Sequence, residues 1–223
     1  MRKILIVFGT RPEAIKMAPV VKEFIKHRDV FETRVCVTAQ HREMLDQVLD
    51  LFEIKPEYDL DIMKPGQDLF DITSNVLSGI KSVIEDFNPD MLIVHGDTTT
   101  TFAASLAAFY KKIKIAHVEA GLRTYKLDSP WPEEANRQLT GRLADYHFAP
   151  TESAAENLIN EGKSRDCVFI TGNTVIDALY RVLGKNRKES KEEDLVDLIS
   201  NYGYKIYERD IILVTGHRRE NFG

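Results

Sequence analysis

The chain has 223 residues, of which 43% are hydrophobic and 29% charged, and its formal net charge is −5 at pH 7. These values are typical of a globular protein with an ample core, and the charge gives no reason to expect a nucleic-acid partner. No apolar run approaches the ~20 residues that cross a bilayer, and Lys3–Phe8 is too short for a signal-peptide core. Cys36 and Cys167 are far apart in strand-like runs, so we expect two buried free thiols and a cytoplasmic location.

Apolar runs alternate with amphipathic segments along the chain, which predicts an α/β fold with a parallel sheet flanked by helices. The predicted strands are Lys3–Phe8, Arg34–Thr38, Met91–Val94, Ile113–Val118, Tyr146–Ala149, Val168–Ile170 and Ile211–Thr215. The predicted helices are Pro12–His27, Met44–Phe52, Leu69–Phe87, Thr98–Tyr110, Glu133–Leu143, Thr151–Asn160 and Val175–Leu183. The first two helices are expected to bury Ala14, Met17, Ala18, Val21, Phe24 and Ile25, then Met44, Leu45, Val48, Leu49 and Phe52.

Two regions differ from this alternating pattern. Lys55–Gln67 is rich in turn residues, and we expect an exposed excursion there. Lys185–Asp210 is dense in Lys and Glu, as expected of a solvated helix and connection. The strand Ile211–Thr215 that follows is fully apolar, so it needs neighbouring strands and covering helices. We therefore expect a second α/β domain to begin near it and to continue outside this chain or in another chain.

The stretch Met91–Arg123 is predicted to form strand, helix, strand, with a carboxylate after each strand end. His95 and Asp97 follow the first apolar run, and His117 and Glu119 belong to the second. Parallel strands present their carboxyl ends at one sheet edge, where α/β proteins bind ligands. Residues i and i+2 of a strand share a face, so each pair could form part of a metal site or of a metal-free acid/base pair. The alternative is buried histidines with carboxylates that cap the next helices.

The turn Gly9–Lys16 joins the first strand to the first helix. Thr10 is a candidate N-cap, and Arg11 and Lys16 add positive charge to a helix N-terminus, which favours a phosphate or pyrophosphate site. The alternative is a tight turn at Gly9 with two solvated cations. The turn matches neither the dinucleotide-binding glycine motif nor the P-loop.

Two further segments combine charge with a constrained position. Glu133 and Glu134 follow a segment with two prolines, so each is either a positioned acid or base, or a first-turn glutamate that suits the helix dipole. Arg137 lies close enough in sequence to pair with either glutamate. Gly216–Arg219 follows a predicted strand and is either a second diphosphate-binding turn or a solvated basic turn.

Long motifs in chain order resemble the non-hydrolysing UDP-N-acetylglucosamine 2-epimerases of bacteria and archaea. They are FGTRPEAIKMAP (Phe8–Pro19), TAQHREMLDQVL (Thr38–Leu49), VHGDTTTT (Val94–Thr101), HVEAGLRT (His117–Thr124), SPWPEEANRQLTG (Ser129–Gly141), FITGNTVIDAL (Phe169–Leu179) and VTGHRRENFG (Val214–Gly223). The resemblance implies the first half of a GT-B-like pair of Rossmann-like domains with the substrate between them. It implies an N-terminal Rossmann-like domain over 1–170, a hinge and charged helical connection over 171–209, and the first strand of a truncated C-terminal domain over 210–223.

The same resemblance implies interconversion of UDP-N-acetylglucosamine and UDP-N-acetylmannosamine without metal or cofactor, by a cytoplasmic homodimer that feeds polysaccharide synthesis. The residues that it places in contact with the nucleotide sugar are Arg11, Lys16, Asp97, Glu119 and His217. The acid/base carboxylates that it implies are Asp97, Glu119 and Glu133. It places Gln40 in a second site, where an activating substrate molecule binds.

This reaction explains why several carboxylates are needed. The C2 proton has no adjacent carbonyl, so it becomes acidic only as UDP leaves C1, and 2-acetamidoglucal is formed. Cations and helix N-termini stabilise the departing diphosphate, while carboxylates serve both faces of C2. We expect this chain alone to be inactive or weak. The alternatives are a hydrolysing homologue that releases UDP and ManNAc, a metal-dependent hydrolase that uses His95, Asp97, His117 and Glu119, and a non-catalytic nucleotide-sugar-binding subunit.

Overall fold

The structure is a computed structural model that describes residues 1–38, 42–62 and 66–189. Its strands are β1 (Arg2–Phe8), β2 (Phe31–Val37), β3 (Tyr58–Asp59), β4 (Met91–His95), β5 (Lys114–Val118), β6 (Tyr146–Ala149) and β7 (Val168–Ile170). Its helices are α1 (Arg11–Lys26), α2 (Arg42–Leu51), α3 (Leu69–Phe87), α4 (Thr99–Tyr110), α5 (Glu133–Leu143), α6 (Glu152–Asn160) and α7 (Thr174–Glu189). The predicted strand Ile211–Thr215 lies outside the described residues.

The strands of the described part form one sheet in the order β3-β2-β1-β4-β5-β6-β7. Every neighbouring pair is parallel. The chain adds strands in one direction from β1 to β3 and then in the other from β4 to β7, so the order reverses between β1 and β4. In open α/β sheets, the crevice beyond the carboxyl ends at such a reversal is the preferred place for a ligand. The predicted α/β class with a parallel sheet flanked by helices is confirmed.

One face of the sheet is packed under α3 and α4. Leu5, Val94 and Ile115 lie in one core cluster with Ile80 of α3 and Ala104 of α4, all of them 3% exposed or less. The small side chains of α4 let this helix lie close to the strands, and burial of each large aliphatic side chain contributes roughly 1.5–3 kcal/mol. This core fixes the positions of the β4 and β5 ends, where the candidate residues lie.

The other face of β4, β5 and β6 borders an apolar groove. It has a volume of about 440 Å³ and is lined by Val20, Glu23, Phe24, His27, Phe31, Met91, Ile93, Ala116, Val118, Phe148, Thr171 and Thr174. The groove runs beside α1 to the start of α7. It therefore lies on the face of the sheet opposite α3 and α4, since alternate residues of a strand point to opposite faces.

Several local predictions were wrong. Ile25 and Met44 were expected to face the core, yet they are 46% and 42% exposed. Cys167 is only half-buried, although Cys36 is fully buried as expected. The described part of the excursion Lys55–Gln67 is mostly exposed or half-buried, as expected, but it also contains the short strand β3, which pairs with β2 through Cys36 and Val37. A two-residue edge strand depends on this pairing rather than on its own sequence, so no periodicity revealed it.

The described part of α7 extends beyond its predicted end. The sequence predicted a helix over Val175–Leu183, whereas α7 runs from Thr174 to Glu189. Met1–Ala178 forms one compact unit, and the described residues 179–189 belong to a second unit. Within the described ranges, none of the helices combines the length and apolar character that a membrane span requires.

Candidate functional site

The turn after β1 is organised by the buried carboxylate of Glu13. Thr10 is the N-cap of α1, and Glu13 Oε2 accepts hydrogen bonds from the Gly9 and Thr10 N–H groups at 3.0 and 2.7 Å. Glu13 Oε1 accepts from the hydroxyls of Thr98 and Thr101 at 2.7 and 3.2 Å. The structure shows that Glu13 joins the turn after β1 to the turn after β4.

Gly9 is required by close packing rather than by a tight turn. A Cβ at this position would lie 2.1 Å from Thr38 Oγ1 and 2.9 Å from Thr100 Oγ1. These two hydroxyls are 3.1 Å apart and hydrogen-bond to each other. The interpretation of Gly9 as a tight-turn residue was therefore wrong, and the glycine lets β2 and α4 approach the end of β1.

Asp97 follows the end of β4 without capping the next helix. Gly96 has φ +68°, which turns the chain away from the strand. Thr98 caps α4 by accepting from the Thr101 N–H at 3.1 Å, so the interpretation of Asp97 as the cap was wrong. The Asp97 carboxylate is instead paired with the guanidinium of Arg137. Asn136 Nδ2 donates to the Asp97 carbonyl at 3.0 Å, so α5 holds both the backbone and the side chain of Asp97.

Glu119 lies directly after the end of β5, with φ +59°. This left-handed conformation is costly for a residue with a Cβ, and such strain concentrates at functional sites. Lys16 Nζ lies 2.7 Å from both carboxylate oxygens of Glu119. Asn173 Nδ2 donates to Oε2 at 2.7 Å, and His95 Nε2 lies 3.8 Å from the same oxygen.

The expectation that residues i and i+2 share a face was wrong for both strand ends. It assumed that the strand continues to the carboxylate, but β4 ends at His95 and β5 ends at Val118. The turns at Gly96 and Glu119 redirect the chain in both places. The direction of each carboxylate side chain is therefore set by a turn and by side-chain partners from other elements, and not by the alternation of side chains along its strand.

The two carboxylates have pKa values that are displaced in opposite directions. Burial raises the pKa of Asp97, and the charges of Glu133 and Glu119 add to this rise against the opposing effect of Arg137. Burial also acts to raise the pKa of Glu119, but His95 and Lys16 outweigh it and lower the pKa to about 2. A pair of titratable groups with divergent pKa values is typical of acid/base sites.

Glu133 and Glu134 begin α5 and have different surroundings. Glu134 is fully buried, and it accepts hydrogen bonds from the Thr124 and Tyr125 N–H groups at 3.1 and 2.9 Å. Glu133 is only half-buried and lies close enough to raise the pKa of Asp97. Glu134 therefore anchors the irregular segment after β5, while Glu133 adds a third carboxylate beside Asp97. Arg137 binds Asp97 and also lies 3.4 Å from Glu134.

The histidines support the strand ends. Burial lowers the pKa of His117 to about 3, so the ring is neutral and its Nε2–H donates to the Gly96 carbonyl at 2.7 Å. His117 pairs in register with Val94 and His95 with Val118, which places the two histidines on opposite faces of the sheet. Within the ranges that the structure covers, no group of three or more His, Cys, Asp or Glu residues is arranged to hold a metal ion.

The structure thus brings together Lys16, Asp97, Glu119 and Glu133 at the sheet edge where the strand order reverses. Arg11 is the first residue of α1 and is exposed at the same turn. His217 and Gln40 lie outside the described residues. Sequence reasoning missed Asn136 and Asn173, although both belong to the quoted motifs, because a single asparagine carries no charge and no periodic signal.

Comparisons with known proteins identify the family of this fold and site. The family model described as UDP-N-acetylglucosamine 2-epimerase matches residues 23–223. The UDP-N-acetylglucosamine 2-epimerase of Campylobacter jejuni is 59% identical over 226 residues, an alignment that covers all of this chain and 58% of the relative. The chain thus spans little more than half the length of this curated relative.

Solved structures give the same result. The crystal structure of UDP-GlcNAc 2-epimerase from Neisseria meningitidis bound to UDP-GlcNAc is 60% identical, with a TM-score of 0.85 over 89% of this chain and 54% of that chain. The Methanocaldococcus jannaschii UDP-GlcNAc 2-epimerase in complex with UDP-GlcNAc and UDP is 34% identical, with a TM-score of 0.79 over 90% of this chain and 53% of that chain. The chain belongs to the UDP-N-acetylglucosamine 2-epimerase family.

Proposed function

We propose that the protein carrying this chain interconverts UDP-N-acetylglucosamine and UDP-N-acetylmannosamine at C2, without hydrolysis and without a metal or cofactor. The observation that carries this proposal is the group Asp97, Glu119 and Glu133 beside the N-terminus of α1. Asp97 and Glu119 have pKa values displaced in opposite directions, as acid/base chemistry requires. Family membership and the names of the relatives, which include UDP-N-acetylglucosamine and the word 2-epimerase, support this substrate and a change of configuration at C2.

The proposed reaction begins with elimination. The C1–O bond to UDP breaks, and its electron pair leaves with the diphosphate. One carboxylate takes the C2 proton, and the electrons of the C2–H bond form the C1=C2 double bond of 2-acetamidoglucal. In the reverse addition, the diphosphate oxygen bonds to C1 and a carboxylic acid delivers a proton to the opposite face of C2. Positioned general acids and bases typically contribute 10²–10⁴-fold to the rate of such proton transfers.

Lys16 has two proposed partners in this cycle. In the free site its ammonium is held by Glu119 at 2.7 Å. A bound diphosphate competes for the same ammonium and is also favoured by the N-terminus of α1 and by Arg11. Transfer of Lys16 to the diphosphate removes one of the two partners that lower the pKa of Glu119, so this pKa rises from about 2 while the effect of His95 remains. Glu119 thereby becomes a stronger base when substrate is bound.

Asp97 and Glu133 provide the second part of the acid/base system. Because burial and two neighbouring carboxylates raise the pKa of Asp97, it holds a proton more readily than an exposed aspartate. Arg137 and Asn136 fix its position from α5. His217 is proposed as a further diphosphate contact within a GT-B-like pair of domains, on the resemblance of its motif.

The test is a product assay with UDP-N-acetylglucosamine and anion-exchange separation of the nucleotides. We expect UDP-N-acetylmannosamine to accumulate to a constant ratio with the substrate, while free UDP stays at background. Stoichiometric release of free UDP and ManNAc would instead establish the hydrolysing reaction. Binding of the nucleotide sugar without turnover would establish a non-catalytic subunit. Either of the last two results would contradict the proposal.

We also propose that the protein self-associates as a homodimer in the cytoplasm. The exposed rings of Phe109 and Tyr110, at the end of α4, support an interaction surface. The free thiols of Cys36 and Cys167 suit a reducing compartment. Sedimentation equilibrium is expected to give twice the monomer mass, and a monomer mass at all concentrations would contradict the proposed dimer.

A further inference from the structure

Asn173 has two hydrogen bonds that no other part of the proposed mechanism uses. It follows Gly172, which has φ +74°, and precedes the first residue of α7. Its Oδ1 accepts from the Val175 N–H at 3.0 Å, which is the bond of a helix cap. Its Nδ2 donates to Glu119 Oε2 at 2.7 Å. One amide thus joins the start of α7 to a proposed acid/base carboxylate 54 residues away in sequence.

We propose that Asn173 is a positioning residue that keeps the Glu119 carboxylate aimed at the sugar when Lys16 moves to the diphosphate. This inference rests on the proposed epimerase function, since it assigns Asn173 a task within that site. The proposed role of Asn173 is to orient the side chain of Glu119, because the left-handed turn already fixes the Glu119 backbone.

The partners of Glu119 show why such a residue is needed. Lys16 reaches it from α1, His95 from β4 and Asn173 from the turn before α7, and the charge of Asp97 acts from the turn after β4. His95 Nε2 is 3.8 Å away, which exceeds hydrogen-bond distance. Once Lys16 is withdrawn, His95 still acts on the Glu119 carboxylate from 3.8 Å, and among the residues described Asn173 is the donor that remains within hydrogen-bond distance, at 2.7 Å. Without it, the flexible glutamate side chain would regain its rotamer freedom.

The chemical type of the donor matters as well. A second ammonium at this position would hold Glu119 equally well, but it would lower the pKa of the carboxylate and weaken it as a base. A neutral amide restricts the direction of the carboxylate without adding a charge. The asparagine side chain supplies both this neutral donor and an acceptor that caps α7. Aspartate and serine can supply the capping oxygen, but neither can donate a hydrogen bond to Glu119 from this position.

The test uses Asn173→Ser and Asn173→Asp in the protein that carries this chain. Serine retains a capping oxygen for α7 but cannot reach Glu119, so we expect kcat to fall by about 10–100-fold with KM nearly unchanged. Aspartate also retains the cap but places a negative charge beside Glu119. The acidic limb of the kcat profile is therefore expected to move to higher pH, as is the titration of the Glu119 carboxyl carbon followed by NMR.

Thr151→Ala is the matched control, because Thr151 caps α6 by accepting from the Ala154 N–H at 3.2 Å. This variant is expected to lower Tm while kcat and the pH profile keep their parental values. Parental kcat in Asn173→Ser, or an unmoved Glu119 titration in Asn173→Asp, would overturn the inference. If the unsubstituted protein shows no chemistry at C2, the proposed function is wrong. The NMR titration of Glu119 in Asn173→Asp would still show separately whether Asn173 binds Glu119.

Discussion

Glu133 and Glu134 are neighbours in sequence, yet their side chains have different partners. Glu134 is buried and bound by two backbone N–H groups and by Gln138 Nε2 at 2.8 Å. Burial acts to raise its pKa, but these hydrogen bonds and Arg137 lower it below the ordinary value of 4.5. Glu133 instead acts on Asp97 through its charge. Sequence reasoning identified both candidate roles but could not assign them, because the backbone donors come from residues nine and ten positions earlier.

Glutamine substitution at each position separates the two roles. Glu133→Gln is expected to lower kcat by about 100-fold or more with little change in Tm, because it removes a proposed acid/base group from a partly exposed position. Glu134→Gln is expected to lower the free energy of unfolding by roughly 1–3 kcal/mol, since its amide opposes buried N–H donors. Steady-state kinetics and urea unfolding of both variants provide the comparison. The assignment would be wrong if Glu133→Gln kept its full rate.

His147 makes folding sensitive to acid. Burial lowers its pKa to about 4, and the charges of Lys163 and Arg123 add to the effect. Neither ring nitrogen meets the distance and angle of a hydrogen bond among the described residues, although the nearby Ala144 backbone opposes part of the pKa shift. Because the folded pKa lies below the ordinary value of 6.5, the unfolded chain takes up the proton first as the pH falls. The stability contributed by neutral His147 is therefore present above pH 6.5 and is lost between pH 6.5 and about 4.

His147→Leu should remove this acid sensitivity. Between pH 6.5 and about 4, each pH unit costs the parent up to about 1.4 kcal/mol through this one histidine. The variant is expected to show a correspondingly smaller slope in urea unfolding measured across this range. Equal slopes in His147→Leu and the parent would disprove the explanation.

At the scale of the elements, two helices begin with the same type of capping box in different surroundings. In α1, Glu13 is buried and also binds two threonine hydroxyls of the α4 turn. In α3, the Asp71 carboxylate accepts a hydrogen bond from the Asp68 N–H at 3.1 Å in an exposed turn. The helix starts were predictable from local capping residues. The link that Glu13 makes between the two turns was not predictable, because Glu13 and Thr98 are 85 residues apart in sequence.

Isosteric amides at these two boxes test the difference. Glu13→Gln is expected to cost roughly 2–4 kcal/mol of unfolding free energy, because the buried amide cannot accept all four hydrogen bonds of the carboxylate. Asp71→Asn is expected to cost about 0.5–1 kcal/mol, as for an exposed cap. Urea unfolding of the two variants measures both values. Equal costs would show that Glu13 acts only as a local cap and does not join the two turns.

At the scale of the whole molecule, the alternation of apolar runs predicted the parallel sheet, and the strand-end carboxylates predicted where the candidate residues Asp97 and Glu119 come together. Those features depend on residues close together in sequence. The aim of each carboxylate depends on contacts over long separations, such as Arg137 with Asp97, 40 residues apart, and Lys16 with Glu119, 103 residues apart. A single sequence does not encode such pairings as a periodic pattern, so only the folded chain reveals them.

We propose that carboxylates of this site remove and return the C2 proton of a UDP-sugar, while the eliminated UDP stays bound and adds back to C1. Incubation of the protein that carries this chain with UDP-N-acetylglucosamine in D₂O, followed by proton NMR, measures this step directly. We predict loss of the C2 proton signal from both nucleotide sugars as deuterium enters at C2, and no exchange in the Glu119→Gln variant. Formation of UDP-N-acetylmannosamine that retains the original C2 proton would contradict the account.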